Sequence, residues 1–231
     1  RGPVNLQRYL EERSRLVDRA LERVLPQNGT LPGMLNQAMR YSLFSGGKRL
    51  RPILALAAID TVGGEASRVL PFAGAIEMIH AYSLVHDDLP AMDDDALRRG
   101  KPTSHIVFGE GMAILAGDGL LTEAFRIMAE AAARPGADAA RGLLVLAEVA
   151  KAAGARGMVG GQAADISAEN SAAETNPELG KQPAGDQGTD DANENVADQT
   201  KAGPGDIFQA GGELELRVPQ QRSPLPRGQV D

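Results

Sequence analysis

The feature that most constrains the fold is a helical spacing of apolar residues that recurs along the first three quarters of the chain. Within residues 5–25, apolar positions lie three or four residues apart among arginines and glutamates, as on an amphipathic helix. Similar segments follow, separated by short breaks of glycine, serine or proline. No alternating pattern of useful length for a strand interrupts the region up to Glu169. The sequence therefore predicts an all-α fold.

Prolines and glycines mark the ends of the predicted helices. The helices are expected over 5–25, over 31–44, from Pro52 to Val62, from near Ser67 through Leu84, over 111–133 and over 138–158. Pro52 is expected at the first helical position and Pro71 in a first helical turn, where a missing N–H costs little. Gly63 and Gly64 are expected to end the third helix.

Composition narrows the chemistry that such a fold can carry. Aromatic residues make up 3% of the 231 residues, so the core has to be built from Leu, Ile, Val, Met and Ala. The chain has no cysteine, which excludes disulfides, thiolate zinc sites and cysteine nucleophiles. No apolar run approaches the ~20 residues that span a bilayer, and no signal-peptide core is evident. A cytoplasmic protein without a membrane span is expected.

Charge and composition divide the chain into two regions. Residues 1–169 hold 19 basic residues (Lys and Arg) and 20 acidic residues (Asp and Glu). Residues 170–231 hold 5 basic and 11 acidic residues. A nearly neutral first region argues against nucleic-acid binding. The second region is rich in Gly and Pro and poor in large apolar residues, so it is expected to be irregular, with one short strand possible at 211–218. The predicted organisation is one helical domain followed by an irregular segment.

Five aspartates lie within nine residues at the end of an apolar helical segment, at positions 87, 88, 93, 94 and 95. Like charges at this spacing raise one another's pKa values, a conflict that a divalent cation resolves. Hard oxygen ligands without a His or Cys clamp favour Mg²⁺, which also recruits phosphate oxygens. The cluster predicts a magnesium–diphosphate site, and a solvated acidic helix end is the alternative.

Helical periodicity places part of this cluster on one face. His80, Asp87 and Asp88 stand at i, i+7 and i+8 of the predicted helix. On a regular helix, Asp93 would lie away from that face. Because Pro90 cannot donate to the helical ladder, a kink or loop there is expected to bring Asp93 back beside Asp87.

Two groups of cations accompany the aspartates. The segment 46–52, Gly-Gly-Lys-Arg-Leu-Arg-Pro, places glycines and basic residues just before a helix N-terminus, which is a favourable site for an anion. Its spacing does not match the G-x-x-x-x-G-K-[ST] phosphate loop, and a solvated basic loop is the alternative. Arg98 and Arg99 form a further cationic group. Carboxylates together with two cationic groups predict a site for two diphosphates.

Five motifs follow one another in the order typical of trans-isoprenyl diphosphate synthases. They occupy 46–52, 80–95, 97–103, 115–118 and 160–165. On these motifs the chain resembles a bacterial farnesyl or geranylgeranyl diphosphate synthase over about residues 5–169. The resemblance implies a helical bundle around a central cavity, usually a homodimer, that condenses an allylic diphosphate with isopentenyl diphosphate.

The resemblance also implies roles for individual residues. Asp87, Asp88 and Asp93 would belong to the first aspartate-rich motif, which holds Mg²⁺ on the allylic diphosphate. Arg98 would contact the same diphosphate and complete the catalytic group. Isopentenyl diphosphate would be held by four further residues, Lys48, Arg51, His80 and Arg99. The neighbouring Asp94 and Asp95 are expected to be solvated.

Product length in this family depends on the bulk of the cavity wall near the aspartates. Tyr82 stands five residues before Asp87, and Ser83 is small, which resembles the arrangement in enzymes that stop at fifteen carbons. Farnesyl diphosphate is therefore favoured over geranylgeranyl diphosphate. The alternative is that Tyr82 simply packs in the core.

The second region does not contain the second Asp-Asp-x-x-Asp motif of the family. Asp190 and Asp191 are followed by Ala, Asn and Glu in a polar stretch and do not replace it. Two interpretations stay open, a prenyltransferase and a non-catalytic subunit that binds diphosphate without turnover. A terpene cyclase is disfavoured, because an enzyme that uses one diphosphate does not need the anion site at 46–52.

Overall fold

The computed structural model describes residues 5–25 and 32–175, which are almost entirely helical. Its elements are α1 (Leu6–Val24), α2 (Gly33–Leu43), α3 (Leu50–Thr61), α4 (Ala66–Asp87), β1 (Leu97–Arg98), β2 (Lys101–Pro102), α5 (Ser104–Phe108), α6 (Glu110–Ala132), α7 (Ala139–Ala153) and α8 (Met158–Thr175). The predicted all-α class is confirmed. Within the described ranges, no helix is long and apolar enough to cross a membrane.

Two prolines lie deeper in their helices than predicted. Pro52 is the third residue of α3, which begins at Leu50, and Pro71 is the sixth residue of α4, which begins at Ala66. Pro52 still falls in the first turn, where its missing N–H has no helical partner. Pro71 removes one bond of the ladder. The helix continues because all of its buried residues follow Pro71 and are held by packing.

The predicted helix over 138–158 is in fact two helices. α7 ends at Ala153, and a turn in which the Gly157 N–H donates to the Gly154 carbonyl (2.9 Å) separates it from α8. α8 ends at Thr175, beyond the expected end of the helical region at Glu169. The predicted strand at 211–218 and the pair Asp190 and Asp191 lie outside the described residues.

The hairpin and α5 are too short for periodicity to reveal them. β1 and β2 pair in antiparallel fashion, with Leu97 opposite Pro102 and Arg98 opposite Lys101. Arg99 and Gly100 connect them, both with positive φ (53° and 72°), which is the backbone of a two-residue type I′ turn. Because of this turn, the consecutive residues Arg98 and Arg99 both reach other elements of the chain.

α4 and α6 form the most extensive helix pair of the described structure. Their buried positions are rich in small residues, which lets helix axes approach closely: Ala73, Gly74, Ala75 and Ala81 on α4, and Ala113, Ala116, Gly117 and Ala124 on α6. Larger aliphatic residues from the surrounding helices complete the core, among them Val17, Leu21, Met39, Leu43, Leu56, Met78, Leu120 and Met128. The core is aliphatic, as the scarcity of aromatic residues predicts.

A close contact between His86 and Gly117 fixes the register of α4 against α6. The His86 Nε2–H donates to the Ile114 carbonyl at 3.1 Å. A Cβ at position 117 would overlap that same imidazole nitrogen. Because Asp87 follows His86 directly, this contact also fixes where the acidic end of α4 lies.

Arg49 joins three elements from the inside of the fold. Its Nε donates to Asp18 and its Nη1 to Glu77, each at 2.9 Å, and its Nη2 donates to the Leu43 carbonyl at 2.9 Å. The side chains of Arg49 and Glu77 are both only 6% exposed. A buried pair of this kind is costly to break, because either partner alone is an uncompensated charge.

We predict that Glu77→Gln lowers the free energy of unfolding by about 3 kcal/mol, because it removes the charge that compensates buried Arg49. Urea denaturation at neutral pH measures the change. The control is Glu12→Gln, which breaks the exposed Arg8–Glu12 pair of α1 and is expected to have a far smaller effect. Equal losses for the two variants would contradict the structural role of Arg49.

We predict that Gly117→Ala destabilises the protein by about 1–3 kcal/mol, because the new methyl group collides with His86. Gly111→Ala is the matched control, since it lies on the same helix with open space around it. Thermal or urea unfolding measures both variants. In the background of His86→Ala, the loss caused by Gly117→Ala should largely disappear. An unchanged loss of stability in that background would show that the new methyl group does not collide with His86.

Candidate functional site

The loop after α4 folds the aspartate cluster back on itself. α4 ends at Asp87, and the Asp93 N–H donates to the Asp87 carbonyl at 2.9 Å. The Asp94 N–H donates to the Leu89 carbonyl at 3.1 Å. The prediction that a break at Pro90 brings Asp93 back beside Asp87 is confirmed.

Asp87 and Asp93 face α8 across this loop. Gln162 of α8 donates a hydrogen bond to Asp87 Oδ1. Burial, with the charge of Asp93, raises the pKa of Asp87 to about 6. Burial, with the charges of Asp95 and Glu169, raises the pKa of Asp93 as well. The two carboxylates therefore crowd one another in a partly dehydrated setting.

Asp88 is held by the hairpin instead. It is 4% exposed, and its Oδ1 accepts from Arg98 Nε and Nη2, each at 2.6 Å. Arg98 Nη2 also lies 3.5 Å from Asp95. Burial raises the pKa of Asp88, and the bond from Arg98 opposes that rise. Asp95 is thus engaged by Arg98 rather than purely solvated, whereas Asp94 is exposed, with φ of 54°.

Arginines surround His80, seven residues before Asp87 on α4. Burial, together with the nearby charges of Arg51, Arg99 and Arg98, lowers the pKa of His80 to about 4. His80 is therefore neutral at pH 7, and the positive charge of this region resides on the arginines. Lys48 is exposed on the loop before α3.

The loop between α2 and α3 meets the hairpin at Arg99. Arg99 donates to the Gly46 carbonyl, and a Cβ at Gly47 would collide with the Arg99 guanidinium. Gly46 and Gly47 both have positive φ, 113° and 127°, which suits glycine. Of the basic residues in the 46–52 motif, Arg49 turns inward and belongs to the core. The structure thus brings Arg51, His80, Arg98 and Arg99 together, and Arg49 lies beside them with its guanidinium bound to Asp18, Glu77 and the Leu43 carbonyl.

A narrow cavity of about 40 Å³ lies between the α2–α3 loop, α4 and the hairpin. Its wall includes Glu77, His80, Asp88, Arg98, Arg99 and Ser104. This space holds roughly three water molecules. Arg99 spans the side of the cavity next to Gly46, so its side chain determines how much room a ligand finds.

Tyr82 and Ser83 lie in the buried part of α4. The Tyr82 ring contacts the His86 ring edge to face, with centroids 5.7 Å apart, and belongs to the main core. Ser83 Oγ donates to the His80 carbonyl at 2.9 Å. Burial, with the nearby charge of Asp87, raises the pKa of Tyr82. The role of these two residues in product length stays a prediction.

The donor chemistry of the aspartate loop suits a hard divalent cation. Asp87, Asp88 and Asp93 supply carboxylate oxygens, and the crowding that raises their pKa values is relieved by positive charge. Over residues 5–25 and 32–175, however, no three acidic or histidine side chains converge closely enough to hold a metal ion. Two of the three predicted ligands are engaged by Arg98 and Gln162 instead.

Some contacts at the site were not predicted. Gln162 and Glu169 of α8 act on the aspartates, and the Thr103 hydroxyl donates to the Asp95 carbonyl at 2.7 Å. The motif at 160–165 contains Gln162 and marks it as a candidate, but the spacing of the motif does not predict which residue that side chain contacts.

Known proteins with similar sequences and folds are prenyl diphosphate synthases. A farnesyl diphosphate synthase from Geobacillus stearothermophilus is 51% identical over 166 residues, which cover 72% of this chain and 55% of that protein. The large subunit 1 of a chloroplastic heterodimeric geranylgeranyl pyrophosphate synthase from Arabidopsis thaliana is 50% identical over 161 residues, which cover 70% and 43%. The crystal structure of an FPP/GFPP synthase from Zymomonas mobilis matches with a TM-score of 0.66 and 42% identity, over 71% of this chain and 59% of that one.

The chain spans about half the length of the curated relatives it matches. The model of the polyprenyl synthetase family matches residues 32–180, more than half of the chain. The chain therefore belongs to the polyprenyl synthetase family.

Proposed function

We propose that this site transfers a prenyl group from an allylic diphosphate, dimethylallyl or geranyl, to isopentenyl diphosphate. The observation that carries the proposal is the C-terminal half of α4. It holds neutral His80 among arginines and then ends in two carboxylates, half-buried Asp87 and buried Asp88. One helix thus presents an anion site beside a set of oxygen ligands. The family and its diphosphate synthase relatives support the same reaction.

The cationic group around His80 is assigned to isopentenyl diphosphate. Arg51 and Arg99 supply the charge, Lys48 reaches from the exposed loop, and neutral His80 supplies a hydrogen bond. Arg99 exchanges its bond to the Gly46 carbonyl for a bond to a phosphate oxygen. The exchange is favourable because hydrogen bonds between two charged groups are stronger than those to a neutral carbonyl.

Asp87, Asp88 and Asp93 are the residues that would hold Mg²⁺ on the allylic diphosphate. When bound, the cation neutralises charge on the departing diphosphate. Arg98 and Gln162, which contact two of these carboxylates, would give up part of those contacts to a bound cation. Arg98 would contact the allylic diphosphate itself.

The transfer breaks the bond between the allylic carbon and its diphosphate oxygen, and the electron pair leaves with the diphosphate. Arg98 stabilises the negative charge that develops on the leaving group. The isopentenyl double bond attacks the allylic cation, and a proton then passes from the new skeleton to the released diphosphate, which restores a double bond. Ala81 and Val85 line the cavity with apolar surface that keeps water from the cation.

The product is proposed to be farnesyl diphosphate, on the basis of the bulk of Tyr82 next to the aspartates. Farnesyl and geranylgeranyl synthases both occur among the relatives, so identity to them does not decide the length. Chromatography of the dephosphorylated product decides it. A fifteen-carbon alcohol supports the proposal, and a twenty-carbon alcohol overturns it.

A cytoplasmic location stays a prediction.

A second candidate is a subunit that binds diphosphate without turnover. The observation in its favour is that Asp87 and Asp88 already have donors, Gln162 and Arg98, and that no three acidic side chains within the described ranges converge to hold a metal ion. Calorimetry with a diphosphate analogue and Mg²⁺, run beside a turnover assay, separates the two. Binding with turnover supports the transferase, and binding without turnover supports the second candidate.

We predict that Asp87→Asn lowers the rate of prenyl transfer by a factor of at least about 100, because it removes an oxygen ligand of the proposed cation. Incorporation of labelled isopentenyl diphosphate measures the rate. The matched control is Asp94→Asn, an exposed position of the same loop whose left-handed backbone asparagine tolerates. A loss of the same size at Asp94, or none at Asp87, would count against the assignment.

We also propose that two copies of the chain associate through α7. Three consecutive apolar residues of this helix are exposed: Leu143 by 67%, Leu144 by 67% and Val145 by 42%. The Arabidopsis relative is described as one subunit of a heterodimer. A second copy would cover the exposed side of α7 and bury this apolar surface.

We predict that the chain is a dimer by light scattering and that the double variant Leu143→Glu and Leu144→Glu is a monomer, because charges cannot be buried unpaired in the interface. Val62→Glu, at another apolar residue that is 77% exposed, is the control and should remain a dimer. A monomeric parent chain, or a double variant that keeps the dimer mass, would reject this interface.

A further inference from the structure

The wall of the cavity contains a hydroxyl group that the fold does not use. Ser104 is 4% exposed, and its Oγ is buried without a hydrogen-bond partner in the described part of the chain. The same residue lines the cavity with His80, Arg98 and Arg99. A buried hydroxyl without a partner is unfavourable, so its presence calls for a ligand that satisfies it.

Neighbouring hydroxyls at the same cavity all have partners. Thr103 Oγ1 donates to the Asp95 carbonyl at 2.7 Å and lies 3.2 Å from His105 Nδ1. Ser42 Oγ donates to the Ala38 carbonyl at 3.0 Å, and Ser45 Oγ donates to the Ser42 carbonyl at 3.0 Å. Ser104 therefore differs from the other described hydroxyls of this wall in having its proton available.

The charge that lines the cavity indicates what the hydroxyl can bind. Its two carboxylates are each paired, Glu77 with Arg49 at 2.9 Å and Asp88 with Arg98 at 2.6 Å. Arg99 and Lys101 also line the cavity and leave its net charge positive. A donor hydroxyl within a positively charged cavity is suited to an anionic oxygen.

We infer that the Ser104 hydroxyl donates a hydrogen bond to a phosphate oxygen of the diphosphate held by the arginines around His80. The inference rests on the proposed function, since it adds a binding residue to that diphosphate site. The β2–α5 segment, through Ser104, then contacts the same anion as the α2–α3 loop does through the arginines. The site closes around the diphosphate from two sides.

Calorimetric titration with inorganic pyrophosphate tests this inference in three versions of the chain. Ser104→Ala is expected to bind about tenfold more weakly than the parent chain, because a hydrogen bond to a charged oxygen is lost. Ser42→Ala is the matched control. It lines the same cavity, but its hydroxyl is used within its own helix, so its affinity should stay within about twofold of the parent.

Thermal unfolding without ligand provides a second readout. Ser104→Ala is expected to unfold at the same temperature as the parent chain or higher, because it removes an unsatisfied group. Equal affinities of the parent and Ser104→Ala, or an equal loss in Ser42→Ala, would overturn the role of Ser104. No pyrophosphate binding by the folded parent chain would instead overturn the proposed function, and this inference with it.

Discussion

Negatively charged carboxylates at the carboxyl end of α4 are energetically unfavourable, and this free-energy cost governs the arrangement of the site. The helix dipole is itself negative there, so charge on Asp87 and Asp88 is disfavoured by the helix as well as by burial. Each carboxylate is stabilised by a later segment of the chain, Asp88 by Arg98 of the hairpin and Asp87 by Gln162 of α8. The hairpin and α8 thus place donors at the acidic end of α4. A bound cation would satisfy the same need.

Positive charge is concentrated around His80, so this part of α4 requires a negatively charged partner rather than donors. Arg49 is the exception among these arginines, since its three bonds to α1, α2 and α4 make it part of the framework. Arg99 lines the anion site, and the charge of Arg51 acts on His80 there. α6 positions both the acidic and the cationic group, because the contact between His86 and Gly117 fixes the register of α4 against α6. Binding and framework roles are thus divided between residues that look alike in the sequence.

Signals that act locally allowed part of this structure to be predicted. Helical periodicity gave the all-α class, and a proline that cannot donate gave the loop that returns Asp93 to Asp87. The partners of the aspartates could not be predicted in the same way, because Gln162 lies 75 residues from Asp87 and only packing brings them together. The inward turn of Arg49 was equally hidden, since composition distinguishes a cation from an anion but does not tell which cation is buried. The same holds for the unused hydroxyl of Ser104.

The central claim is that acidic and basic groups on α4 form one site for two diphosphates. A crystal structure of the chain with Mg²⁺, isopentenyl diphosphate and an allylic diphosphate analogue that cannot ionise tests it most directly. The account predicts metal density at Asp87, Asp88 and Asp93, and one diphosphate on each side of this helix end. Ligands bound elsewhere, or Arg98 and Gln162 still holding the carboxylates with both diphosphates present, would contradict it.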